Sequence, residues 1–116
     1  MPRNEQELEE AGRINIARDV ISTIAALAIS ETPGIFSPEG TPFPRGPAAR
    51  RHVDTELLGG RVRVSLRIAV EYGRAIPQIT QELQEKVKNE VEKMTALPVE
   101  AVDVEVVRMI FPQEVQ

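Results

Sequence analysis

His52 is the chain's single histidine and the one side chain whose unperturbed charge changes near neutral pH. On an alternating strand it shares a polar face with Asp54 and Glu56, while Val53, Thr55 and Leu57 point the other way. A histidine beside a carboxylate can be held as a general base or recruited to a metal. Catalytic zinc, however, takes about three protein ligands, and here no second histidine and no cysteine exists to complete a set. The expectation is a solvated strand residue, dispensable for function, with no metal and no cofactor. The carboxylate pairs Glu82/Glu85 and Glu90/Glu92 fall on the solvated side of a helix pattern, where plain surface charge is the ordinary outcome. The sequence also lacks a phosphate-binding loop, a dinucleotide fingerprint, a nucleophile elbow and a zinc-protease helix motif. These absences predict a protein that is not an enzyme and has no catalytic, cofactor-binding or metal residues.

Arginine offers more. Between Gly40 and Ile68 six arginines stand against Asp54 and Glu56, whereas from Gln81 to Val106 seven acids stand against three lysines. Alternation places Arg61, Arg63 and Arg67 on the polar face of one strand, within reach of Asp103 and Glu105 on another. Three outcomes are open: exposed cross-strand ion pairs, complementary contact surfaces for copies of the chain or a protein partner, and a polyanion-binding face. Sheet-based RNA binding needs exposed aromatics for base stacking. Tyr72 alternates inward, the other aromatics are Phe36, Phe43 and Phe111, and the net charge of −4 opposes phosphate binding. Protein interaction is therefore favoured over RNA or another polyanion, which remains the alternative.

The elements that must position these residues follow from composition and periodicity. A chain of 116 residues with 41% hydrophobic and 28% charged residues fits one soluble domain. No secretory signal pattern opens it, and the longest apolar run, Val20 to Ile29, is interrupted by Ser22 and Thr23. That run is short of the ~20 residues a membrane-spanning helix needs. Direct membrane insertion is not expected. The excess of eleven arginines over three lysines could reflect anion binding, a heat-adapted host or a GC-rich genome, and the last is the favoured reading.

Residues 1–11 carry four glutamates and no apolar period, and read as a mobile acidic tail. Ile14 and Ile16 alternate as in a short strand, and a helix follows from about Ala17 to Glu31. In that helix Val20, Ile24, Leu27 and Ala28 form the stripe, and Ile21, Ala25 and Ile29 widen it. A helix apolar on more than one side is either sunk between the sheet and its neighbour, the favoured reading, or leaves apolar surface for self-association or partner docking, with Ile21 and Ile29 as the candidates. Five prolines and three glycines between Pro33 and Arg50 predict a loop, in which Pro44-Arg45-Gly46-Pro47 has the spacing of proline-rich peptide ligands. Arg51 to Leu57 and Arg61 to Tyr72 form a hairpin about Gly59-Gly60. A second helix from Ile76 to Thr95 buries Ile76, Ile79, Leu83, Val87, Val91 and Met94, and a last strand turns Val102, Val104 and Val106 inward. Pro112 begins a short tail, residues 112–116. The predicted fold class is an α+β two-layer sandwich, two helices on one face of a mixed four-stranded sheet in the order βαββαβ. A right-handed crossover makes the third and fourth strands parallel.

Several landmarks resemble the alkaline-shock-protein family of bacterial stress proteins: Gly12-Arg-Ile-Asn-Ile-Ala before an alanine-rich helix, Glu31-Thr-Pro-Gly34-Ile35, Val70-Glu-Tyr-Gly73, and Glu92-Lys-Met94-Thr95 with Leu97 and Val99. The likeness spans about Gly12 to Phe111. Departures are the proline-rich stretch Ser37 to Arg50, Ala96 where the family commonly has glycine, and Arg108-Met109 in place of small residues. The resemblance implies a cytoplasmic protein of stress response and envelope homeostasis, oligomeric or partnered, sometimes held at the inner face of the membrane by a separate anchor protein. It implies no catalytic residues.

Overall fold

The computed structural model describes residues 5–111, with side chains from Arg18 onward. Helix α1 spans Glu5–Ser30 and is followed by β1 (Ile35–Phe36), a short 3-10 helix (Pro47–Arg51), β2 (Val53–Leu58), β3 (Arg61–Glu71), α2 (Ile76–Thr95) and β4 (Val99–Ile110). The α+β class holds: two helices lie against one face of a mixed four-stranded sheet. The element order is αβββαβ, with the first strand displaced. Residues 5–16, read from the sequence as tail and strand, are helical. Glutamate, glutamine, leucine and alanine between Glu5 and Ala11 are good helix formers, and acids suit a helix N-terminus. That propensity outweighs an alternation carried by only two isoleucines. The missing strand is supplied by Ile35–Phe36, inside the stretch expected to be loop. Residues 1–4 and the tail at 112–116 lie outside the described residues.

Strand β3 is the centre of the sheet. Strand β4 pairs with it in parallel from Val62 to Glu71, so β2 and β1 share the opposite edge, antiparallel to β3 at Arg61–Leu66 and Ala69–Val70. The parallel pairing of the last two strands is the crossover geometry the helix between them requires. Gly59 and Gly60, at φ 59° and 78°, make the two-residue turn between β2 and β3, which demands left-handed backbone at both positions.

The core lies between the helices and the inner sheet face. Val62, Val64, Leu66, Ile68 and Val70 are fully buried there, against Ile79, Leu83, Val87 and Val91 of α2. On α1 the buried side chains are Ile21, Ser22, Ile24, Ala25, Ala26, Ala28 and Ile29, whereas Val20 and Leu27 face outward. The stripe predicted for this helix is thus rotated. Three isoleucines, Ile21, Ile24 and Ile29, face the core together with Ala25, Ala26 and Ala28, whose small side chains let the helix approach closely. Ser22 accommodates its burial through a hydroxyl contact with Thr55 of β2 at 3.3 Å. Met94, expected in the buried stripe of α2, is exposed at the helix end. There the chain leaves α2 through Ala96, at φ 61° the one non-glycine in the left-handed region among the described residues.

Candidate interaction surface

Every second residue of β3 turns away from the helices, and this outer face carries the charged side chains. Arg61, Arg63 and Arg67 are exposed there, as the alternation of Arg61 to Val70 requires. Each meets an acid of β4: Arg61 with Glu100 at 3.5 Å, Arg63 with Asp103 at 3.9 Å and Arg67 with Glu105 at 4.0 Å. Pairs this exposed contribute at most about 1 kcal/mol apiece. On the other side of the arginine row, Asp54 and Glu56 of β2 stand opposite Ser65 and Arg63, and neither makes an ion pair among the described residues. The face is therefore striped: acidic, basic, acidic. Its acids outnumber its arginines, so the arginine row does not create a positive field.

One end of this face is covered. The segment Ser37–Phe43 forms a tight turn, with the Ser37 amide donating to the Thr41 carbonyl at 2.8 Å and the two hydroxyls 2.8 Å apart. It crosses the sheet where an irregularity between Ile68 and Ala69 shifts the register of β4. Because of that shift Arg108 and Ile110, not Val107 and Met109, share the outer face with Ala69. Ala69 and Ile110 are fully buried beneath the turn, and Arg108 Nη1 donates to the Glu39 carbonyl at 3.4 Å.

His52 belongs to this cover. It was expected as a solvated strand residue, but it ends the 3-10 helix and is only 8% exposed. Its ring meets Phe43 edge-on at 5.8 Å, and Nε2 lies 3.6 Å from Glu39 Oε2. Alternation alone could not reveal a turn folding back over the polar face. The described residues contain no group of three or more histidines and acids placed to hold a metal.

Ile21 and Ile29, the sequence candidates for apolar contact surface, are core residues with no exposure at all. The apolar surface left over is elsewhere. Tyr72 follows Val70 onto the inner side of the sheet but extends past the helices, where its ring is 53% exposed and lies 4.8 Å from that of Phe111. Its amide donates to the Ile110 carbonyl at 2.7 Å, and exposed Met109 sits opposite Val70 on the same side. Tyr72 was expected to face inward, and it does so beyond the reach of the cover. The sequence signal that could have located this patch was the strand alternation running to within a residue of the Gly73 turn, where no helix residue remains to cover it.

Shallow clefts are also found among the described residues. One, of about 250 Å³, lies between Pro33 and the start of α2, and its Arg74 is engaged by Glu71 at 3.5 Å. Another, of about 230 Å³, separates α1 from the proline-rich loop and is lined by Ser22, Thr23, Arg45, Pro47, Ala49 and Arg50. No helix among the described residues is long and apolar enough to cross a membrane.

Comparison with known proteins places this architecture. The chain is 26% identical over 112 residues to the uncharacterized protein YqhY of Bacillus subtilis (strain 168), an alignment covering 90% of this chain and 82% of that protein. No solved structure matches significantly. The profile of the alkaline shock protein 23 family, described as having a cell envelope-related function, matches residues 6–111, and the chain belongs to that family.

Proposed function

We propose that this protein is a non-enzymatic interaction module of the bacterial stress response, serving cell-envelope homeostasis by docking through its outer sheet face. The observation that carries this reading is the striped face itself. An open, flat, exposed surface with Asp54 and Glu56 unpaired among the described residues suits another protein surface, of complementary charge, better than a small substrate. Docking partners are further copies of the chain or an envelope protein, including a membrane-anchored one. The protein acts in the cytoplasm, at the inner face of the membrane when held there by such a partner.

Polyanion binding through the same face is the weaker reading. All three arginines already have acidic partners, and the exposed rings of Tyr72 and Phe111 lie on the opposite side of the sheet. Sedimentation velocity and affinity capture, each at low and high salt, test the proposal with wild type and Arg63→Glu/Arg67→Glu. Loss of association in the double variant, with circular dichroism unchanged, is the expected result. Equal association by the two proteins removes the outer face from the account. Salt-sensitive retention of RNA by wild type, abolished in the variant, favours the polyanion reading instead.

A further inference from the structure

The cleft between α1 and the proline-rich loop is lined by two arginines, and Asp19 at its edge is engaged by one of them. From Gly40 to His52 the chain contains Arg45, Arg50 and Arg51 and no acid. Arg45 and Arg50 both line the cleft, while Ser22 and Thr23 of α1 form its opposite wall. Arg50 is anchored by Asp19 at 3.3 Å, which orients the guanidinium but occupies only part of its five-donor fork. Arg45 has no ion-pair partner among the described residues and is exposed. In a chain of net charge −4, an arginine left unpaired beside a second arginine is a local excess that the fold does not neutralise. The backbone that carries them is restrained: Pro44 and Pro47 bracket Arg45, and Arg50 sits on a 3-10 helix whose Ala49 is buried.

We propose that this cleft binds a phosphate group, with Arg45 and Arg50 as its two guanidinium donors. Two guanidinium forks lining one small cleft suit the several oxygens and double charge of a phosphate better than the single plane of a carboxylate. At about 230 Å³ the cleft admits a phosphate and a few further atoms, not an extended ligand. The phosphate comes either from a soluble phosphomonoester or from a lipid headgroup. The site is on a different surface from the striped sheet face and stands or falls independently of the docking proposal.

The test is a titration of the isotope-labelled full chain with inorganic phosphate at constant ionic strength, with chloride as the control anion, following the amides of Thr23, Gly46 and Ala49. Saturable shifts confined to this cleft are expected, with affinity reduced about tenfold or more in Arg45→Ala/Arg50→Ala. Arg45→Gln, which leaves the Arg50–Asp19 pair intact, serves if the double variant does not fold, and should also weaken binding. Asp19→Asn should tighten it, since the competing carboxylate is removed. Arg67→Ala, on the sheet face, should leave it unchanged. A parallel sedimentation with phosphatidylcholine vesicles, with and without phosphatidic acid, assigns the source: cosedimentation lost in the arginine variants identifies a headgroup, and its absence a soluble ligand. Linear, unsaturable shifts, or equal shifts with chloride or in the arginine variants, would overturn the proposal.

Discussion

Replacing Ala96 with glycine should stabilise the protein. Ala96 closes α2 by donating its amide to the Glu92 carbonyl at 2.9 Å, and this closure needs the left-handed conformation found there, φ 61° and ψ 18°. For an L-residue that conformation costs about 1–2 kcal/mol through the clash of Cβ with the following carbonyl. Glycine removes the clash but enlarges the unfolded ensemble, at a cost of about 0.4–1 kcal/mol. Ala96 is exposed, so the lost methyl group takes no packing with it. The balance is a gain of about 0.5–1 kcal/mol, or a rise in Tm of about 2–5 °C for a domain of this size. Differential scanning calorimetry, supported by urea unfolding, measures it directly. An unchanged or lowered Tm would refute the reasoning, since the strain would then be relieved by the chain in solution or offset by a contact of the methyl group.

Other expectations follow from burial. Ile29→Ala should cost about 2–4 kcal/mol in urea unfolding, and Ile29→Glu should leave the chain unfolded by circular dichroism, because the side chain has no exposure; a folded, merely dissociated Ile29→Glu would restore this residue to a contact surface. His52→Ala should lose about 1–2 kcal/mol and raise hydrogen exchange in Ser37–Phe43, where the ring supports Phe43 and Glu39; unaltered exchange would mean the turn holds itself. Arg63→Ala and Arg67→Ala should each change stability by less than about 1 kcal/mol, as exposed ion pairs do, in the same urea assay.

What the sequence made legible was strictly periodic. Strand β3 and helix α2 have one buried side each, and both their limits and their inward residues follow from spacing, except where an element runs past its cover, as at Met94 and Tyr72. Helix α1 was harder because aliphatic residues lie all round it, so spacing alone did not decide that Ile21 and Ile29 are buried while Val20 and Leu27 are exposed. The arginine row and its acidic neighbours were readable because cross-strand pairing follows from alternation and crossover hand alone. The covered end of the face was not. It depends on a register shift in β4 and on a proline-rich turn that reaches residues distant in sequence, Ala69 and Ile110, and neither leaves a period in the sequence.

The central claim is that the charge stripes of the outer face are read by a partner and are not merely internal pairs. Exchanging charges within the pairs separates these: Arg63→Asp with Asp103→Arg, and Arg67→Glu with Glu105→Arg, preserves each ion pair and the net charge while inverting the pattern a partner meets. Quantitative affinity capture from the native host, using tagged wild type and the charge-exchanged protein as baits, scores untagged copies of the chain and foreign partners together. Docking through the face predicts that the exchanged bait keeps its thermal stability and loses its captured proteins. Equal capture by both baits would contradict the account and leave the stripes as intramolecular ion pairs.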